Sequence, residues 1–340
     1  MTARAEVSIW WYAFGYFACY VPYSALAKAL SGGLLPGMTR GFSGFSLLPI
    51  TNIASLLGMF AFISAMRWWR YAGRRQLLGV SVPLPGIWTF LSGLCTAAII
   101  ATTTLAYTFD GVSIVFMMLL MRGGVLVIAP ITDFASGRKV RWFSWLALAL
   151  SMGALFVAFF GGSKSSLAMT WIAGVDVAFY LLGYFVRLRF MSRLAKSSDP
   201  DLTKRYFVEE QMTATPLVVL VLVACALVGH GQMMLEIRKG FTELWSSGHA
   251  ATIFLVGVLS QGTGVFGGLI LLDRRENSFC VPVNRASSVL AGLLASVALS
   301  VLLGLKLPGV AELVGAALVV GAIVALSLPT LLPKRAGAAG

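Results

Sequence analysis

Apolar blocks of about 20 residues follow one another almost without a break from Ile9 to Leu331, and that succession decides what the chain can fold into. A block of this length spans the hydrocarbon core of a bilayer as an α-helix. With 58% apolar and only 11% charged residues, and a mean hydropathy of +0.87, too little polar surface exists to cover a water-soluble globule. Transmembrane strands would alternate residue by residue over about ten positions. These blocks are continuously apolar, so helices are the spanning solution that satisfies the backbone. The expected fold is an all-α membrane protein.

The blocks lie near 8–30, 44–66, 86–108, 112–133, 142–161, 168–190, 208–230, 250–272, 278–303 and 309–331, ten in all. The longest links are 191–207 and 231–249, and no Pro/Ser-rich linker divides the chain. With both termini placed inside, the inner links hold 18 of the 26 Lys and Arg, from Arg4 to Arg335 and including Arg187 and Arg189 at the end of span six. The outer links hold five, Arg40, Lys164, Arg238, Lys239 and Lys306, while Lys28, Arg122 and Arg285 stay within blocks. This asymmetry supports the even span count and puts both termini in the cytoplasm. It also explains the formal charge of +13 as an orientation signal meeting anionic lipid headgroups, so membrane lipids and not nucleic acid are the expected polyanionic neighbours. Met1 to Glu6 precedes Ile9-Trp10-Trp11 without a small-residue cleavage site, so the first block is read as a retained span. Short links and inner positive charge suit a bacterial cytoplasmic (inner) membrane, with an organellar or Golgi membrane as the alternative.

Five spans followed by five invite comparison of the halves, because an odd number of helices per repeat inverts the second copy. Asp110 precedes Arg122 by twelve residues across the third-to-fourth junction, and Asp273 precedes Arg285 by twelve across the eighth-to-ninth. Trp145-Leu-Ala-Leu-Ala-Leu-Ser-Met-Gly153 parallels Leu313-Val-Gly-Ala-Ala-Leu-Val-Val-Gly321. Ala149 with Gly153 and Ala317 with Gly321 are small residues four apart, which permit close helix approach and are compatible with a homodimer through spans five and ten. The expected organisation is two inverted five-helix repeats, 1–164 and 165–340, in one transmembrane unit.

Ala291-Gly292 through Gly304, then Glu312-Leu313-Val314-Gly315-Ala316-Ala317-Leu318 and Gly321, resemble the closing signature of the drug/metabolite transporter superfamily, the EamA-like ten-helix transporters. Asn284-Arg285 followed by Leu290-Ala291-Gly292 is similar to the nucleotide-sugar and sugar-phosphate branch, and Arg122 falls where that branch often carries a cation in the fourth span. Span seven, Gln211-Met-Thr-Ala-Thr-Pro216, departs from the tyrosine-asparagine nucleotide motif of that branch. The resemblance implies alternating access between two inverted halves and a secondary transporter of phosphorylated metabolites, sugar phosphates or nucleotide sugars.

The residues themselves point the same way. Arg122 lies near mid-bilayer, where an ionised side chain costs roughly 2.5–3.5 kcal/mol even on the gentlest insertion scale. Its planar guanidinium suits phosphate or carboxylate, unless it is neutralised inside the protein by Asp176 or Asp133. Arg285 lies nearer its span's end, where snorkelling to headgroups competes with reaching a substrate. Asn284, Asp176, Tyr180, Asn52 and Gln211 are the other polar groups expected to contact substrate, with helix-to-helix bonding as the competing use. The expected function is transport of an anionic substrate through a central cationic cavity. A flippase for a phosphate-headgroup lipid and an exporter of amino acids or hydrophobic compounds are the alternatives. The sequence shows no acid/base constellation, metal-ligand spacing or cofactor motif, so neither enzymatic activity nor a cofactor is expected.

Overall fold

The computed structural model describes residues 8–77, 79–105, 114–160, 171–197, 199–304 and 310–331. Asp110, Lys164, Lys306 and both chain ends lie outside the described residues. Within them the chain forms 11 α-helices: α1 (Ile9–Gly32), α2 (Gly44–Ala65), α3 (Ile87–Leu105), α4 (Ile114–Ala135), α5 (Trp142–Phe160), α6 (Trp171–Leu194), α7 (Pro200–Val228), α8 (Gly231–Thr242), α9 (Ala250–Leu272), α10 (Asn277–Leu303) and α11 (Val310–Leu331). All but α8 fall on the apolar blocks. Four of them, α2, α7, α9 and α10, are long and apolar enough by composition to cross a membrane.

The links hold more structure than the sequence suggests. Between α2 and α3 the chain makes an antiparallel hairpin, β1 (Arg74–Leu77) and β2 (Val80–Pro83), with Arg74 opposite Pro83 and Leu77 opposite Val80, so the fold is not purely helical. Gly79 turns the hairpin at φ 81°, a left-handed conformation that costs glycine nothing. The link expected over 191–207 is short, because charged turns extend both helices past their apolar blocks. Asp199 accepts from the Asp201 N–H as N-cap, and Pro200 opens α7 where no N–H is needed. The link expected over 231–249 contains α8, whose Met233, Ile237 and Phe241 recur every four residues and pack with Val218, Leu222 and Ala226 of α7.

Packing joins helices far apart in sequence throughout. α1 lies against α9 and α10, α2 against α9, α3 against α6 and α7, α4 against α6, and α5 against α11. The small-residue stripes of α5 and α11 meet each other inside the chain: a Cβ on Gly153 would lie 3.7 Å from Leu318, and one on Gly321 would lie 3.6 Å from Leu150. Helix backbones come close at several glycines, two of them on helices that border the interior. A Cβ on Gly257 of α9 would collide with the Thr51 carbonyl oxygen of α2, and one on Gly93 of α3 would meet the Glu210 carbonyl of α7 at 2.9 Å. These crossings bring α2, α3, α7 and α9 around one central space.

Candidate functional site

That space is a cavity of about 330 Å³ bounded by α1, α2, α3, α6, α7, α9 and α10. Its wall mixes apolar and polar groups: Asn52, Ser55, Thr96, Gln211, Thr215, Ser260, Gln261, Thr263 and Asn284 are neutral amides and hydroxyls. Two cations reach it, Arg187 and Arg285, and their circumstances differ.

Arg187 is neutralised. Its Nε donates to Glu210 Oε1 at 2.8 Å and its Nη2 to Oε2 at 3.0 Å, with both side chains buried. Ser92 and Thr96 donate to the same carboxylate at 2.7 and 3.1 Å, and Tyr206 meets the Ser92 hydroxyl. Counting Arg187 among the inner-link cations is therefore corrected: α6 runs on to Leu194, which leaves Arg187 two turns inside the helix and buried. Nothing in the sequence spacing of Arg187 and Glu210 reveals the pair, because they meet only through the packing of α6, α3 and α7.

Arg285 has no carboxylate partner among the described residues. It donates from Nη2 to the Tyr184 hydroxyl at 3.1 Å, and its guanidinium lies 5.4 Å from the centre of that ring. Its Nε is buried without a hydrogen-bond partner. It does not snorkel to a headgroup. Tyr184 packs in turn against Tyr180 with the rings tilted and their centres 4.9 Å apart, while Tyr16 stacks on Tyr20 at 5.5 Å. The sequence did carry this signal: α1 bears Tyr12, Tyr16 and Tyr20 and α6 bears Tyr180 and Tyr184, each set spaced four residues apart and hence on one helix face.

The residues expected to contact substrate divide. Arg285, Asn284, Asn52 and Gln211 line the cavity. Asn52 also donates to the Leu48 carbonyl at 2.9 Å, and Gln211 accepts from Thr215 at 3.1 Å. Tyr180 is buried behind Tyr184. Arg122 is absent from the cavity wall; it donates to the Tyr20 hydroxyl at 3.4 Å and shares a small crevice with Arg285. Asp176 is buried with both carboxylate oxygens unpartnered and is also absent from the wall.

Neither carboxylate expected to neutralise Arg122 does so. Asp133 is engaged at the start of α10, where it accepts from Asn277 N and Nδ2 and from Ser278 N and Oγ, all at 2.7–2.8 Å. This is an N-cap supplied from another helix, which satisfies orphan N–H donors that α10 cannot satisfy itself.

Asp133 belongs to a buried, hydrogen-bonded seam at the arginine-rich end of the bundle. Residues 206–211 of α7, 267–272 of α9 and 276–284 at the start of α10 are buried without interruption. Glu209 accepts from the Gly73 and Gly86 N–H groups at 2.8 and 3.0 Å, from Thr89 at 2.6 Å and from Arg205 at 2.8 Å, tying the hairpin link to α7. Arg138 donates to four carbonyls, those of Ser192, Lys196, Arg274 and Arg275. Glu276 takes a two-pronged contact from Arg141 at 2.9 and 2.8 Å and a third bond from Ser144. Burial pushes the Glu276 carboxyl up, but the Arg141 and Ser144 donors outweigh it and hold the group below the ordinary carboxylate range.

No protein-family model and no curated protein matches the sequence. Among solved structures, a chain described only as "Crystal structure of protein" superposes with a TM-score of 0.56 at 18% identity, covering 94% of this chain and 98% of its own. The chain thus shares a known fold over nearly its whole length, a likeness that speaks for architecture alone.

Proposed function

We propose that the chain is a secondary transporter that moves an anionic, phosphate-containing substrate through the central cavity by alternating access. The observation that carries this reading is Arg285: a cation at the wall of a polar cavity, partnered by a tyrosine and by no carboxylate among the described residues. A guanidinium in a bilayer interior needs a counter-charge. Where the protein supplies none, a bound anion can, and the planar fork matches phosphate oxygens. The surrounding amides and hydroxyls suit a hydroxyl-bearing body such as that of a sugar phosphate.

The reading takes ten spans in two inverted halves, 1–164 and 165–340, and the packing pattern supports it. If α1 to α5 correspond in order to α6, α7, α9, α10 and α11, then α1 on α9 mirrors α6 on α3. Likewise α1 on α10 mirrors α6 on α4, and α2 on α9 mirrors α7 on α3. The contacts α2 with α7, α4 with α10 and α5 with α11 are their own mirror images, and every one of these contacts is made. Gly257 against Thr51 and Gly93 against Glu210 form one such mirrored pair. In this reading the arginine-rich seam faces the cytoplasm of a bacterial inner membrane, and substrate enters this conformation from the other side.

The test is thermal stability of the purified protein against inorganic phosphate, sugar phosphates, nucleotide sugars and phospholipids, for wild type and Arg285→Gln. A ligand that binds only the folded state raises its melting temperature. One phosphorylated class should stabilise wild type and not a folded Arg285→Gln protein. Stabilisation by phospholipid alone makes the protein a flippase. Indifference to every anion overturns the anionic reading in favour of an exporter of amino acids or hydrophobic compounds.

A further inference from the structure

A second hollow, of about 230 Å³, opens at the arginine-rich end between the starts of α3 and α7 and the end of α6, and it shares no wall residue with the central cavity. Trp88 of α3, Leu194 of α6 and Leu202 of α7 form its apolar wall, and each is 36–55% exposed. Large apolar side chains gathered open-faced around one hollow are costly in water, whereas at the edge of a bilayer they meet acyl chains. The neighbouring face of α6 has the same character. Phe179, Leu182, Val186, Phe190 and Arg193 follow one another at intervals of three and four, so this face begins with exposed Phe179 and Leu182 and ends at an exposed cation. The Phe190 ring lies 5.8 Å from that of Trp88, which sets Arg193, one turn further on, at the rim of the hollow.

The charged donors here are accessible and under-used. Arg205 of the wall has a side chain 51% exposed; its Nε donates to Glu209 at 2.8 Å, and both Nη groups are left without an acceptor among the described residues. Arg193 has no hydrogen-bond or ion-pair partner among the described residues. Arg74 and Arg75, both exposed, adjoin Gly73, which is itself bonded to Glu209. The carboxylate on the wall offers these cations little: Glu209 is only 1% exposed and already accepts from Gly73, Gly86 and Thr89 as well as from Arg205. Asp201, one turn before Arg205, faces Lys204 at 2.8 Å. The opening therefore combines an exposed apolar wall with positive charge that the protein does not compensate.

We propose that this hollow binds one anionic glycerophospholipid of the surrounding bilayer, of the phosphatidylglycerol class. Its phosphate accepts from the Arg205 Nη groups and from Arg193, and an acyl chain lies over Trp88, Leu194 and the outward face of α6. Basic pockets between spanning helices suit such headgroups, and a guanidinium fork suits phosphate oxygens. A zwitterionic lipid brings an ammonium group that the surrounding arginines repel. A soluble phosphate ester has no chain to cover the apolar wall. The bound lipid bridges the end of α6 to the starts of α3 and α7, beside the Glu209 bonds that hold the hairpin link. The site rests on the chain lying in a bilayer and not on what the central cavity carries.

The experiment is melting and native mass spectrometry of the delipidated full-length protein in detergent, with phosphatidylglycerol, phosphatidylcholine or glycerol 3-phosphate added. The expected result is a saturable rise in melting temperature with phosphatidylglycerol and retention of about one such lipid per chain, with neither effect from the other two. Arg205→Gln and Arg193→Gln should each weaken this binding about tenfold, and Trp88→Ala should weaken it too. Arg285→Gln should leave it unchanged, which separates this lipid from one carried in the central cavity. Equal retention of phosphatidylcholine, equal stabilisation by glycerol 3-phosphate, or loss of the lipid in Arg285→Gln alone overturns the proposal. So does binding unchanged in Arg193→Gln, an exposed position that stays readable even if Arg205→Gln does not fold.

Discussion

Arg187, at the wall of the central cavity, and Glu210 form a buried two-pronged ion pair, with N–O distances of 2.8 and 3.0 Å and with Ser92 and Thr96 completing the carboxylate's partners. One cavity arginine is thus neutralised by a carboxylate, while the other, Arg285, has none among the described residues. Removing Glu210 would leave a buried, uncompensated guanidinium. Glu210→Gln should therefore cost about 3–5 kcal/mol of stability, and replacing both partners by apolar residues of similar volume should recover much of that loss. Chemical denaturation of the single and double variants checks it.

Tyr184 holds Arg285 by one hydrogen bond while also lending its ring face. Tyr184→Phe keeps the ring and loses the hydroxyl, so stability should fall by only about 1 kcal/mol. Binding of the stabilising anion should weaken more than stability does, because the guanidinium loses its orienting partner. Melting curves with and without ligand separate the two effects.

Glu276 gives a pH dependence whose sign is fixed by its partners. Its folded-state pKa lies below its unfolded value, so the stabilisation it contributes is fully present above the ordinary glutamate value of about 4.3 and is lost as pH falls through the depressed one. Arg141 is 48% exposed, so solvent moderates the effect. Melting temperature followed from pH 7 down to pH 3 should drop at the acid end, and Glu276→Gln should flatten that drop while lowering stability at pH 7.

Gly257 sits where α9 crosses α2 against the Thr51 carbonyl, a backbone atom that cannot rotate away. Gly257→Ala should destabilise by about 1–3 kcal/mol through overpacking, although alanine is the better helix former. Gly93→Ala should behave alike at the corresponding crossing of α3 and α7. A gain in stability at either site would count against the close crossing.

Asp133 serves α10 from another helix, and its two oxygens answer four donors. Asp133→Ala leaves the Asn277 and Ser278 N–H groups buried and unsatisfied, which should cost about 1–3 kcal/mol. Amide hydrogen exchange should accelerate first at the start of α10.

What the sequence determined by itself was the helical, bilayer-suited character of the chain and the position of each long helix, because continuous apolar blocks of fixed length leave the backbone no other solution. It also singled out Arg285, Asn284, Asn52 and Gln211, since a polar group within an apolar run stands out without any knowledge of neighbours. It did not reveal that Arg122 lies off the cavity wall while Arg187 lies on it, nor that Asp133 caps α10, Glu210 neutralises Arg187 and the small-residue stripes join α5 to α11. Those assignments depend on which faces of distant helices meet. Charge compensation acts over a few ångströms in space, and residues as far apart as Asp133 and Asn277 come within that range only when the bundle is packed.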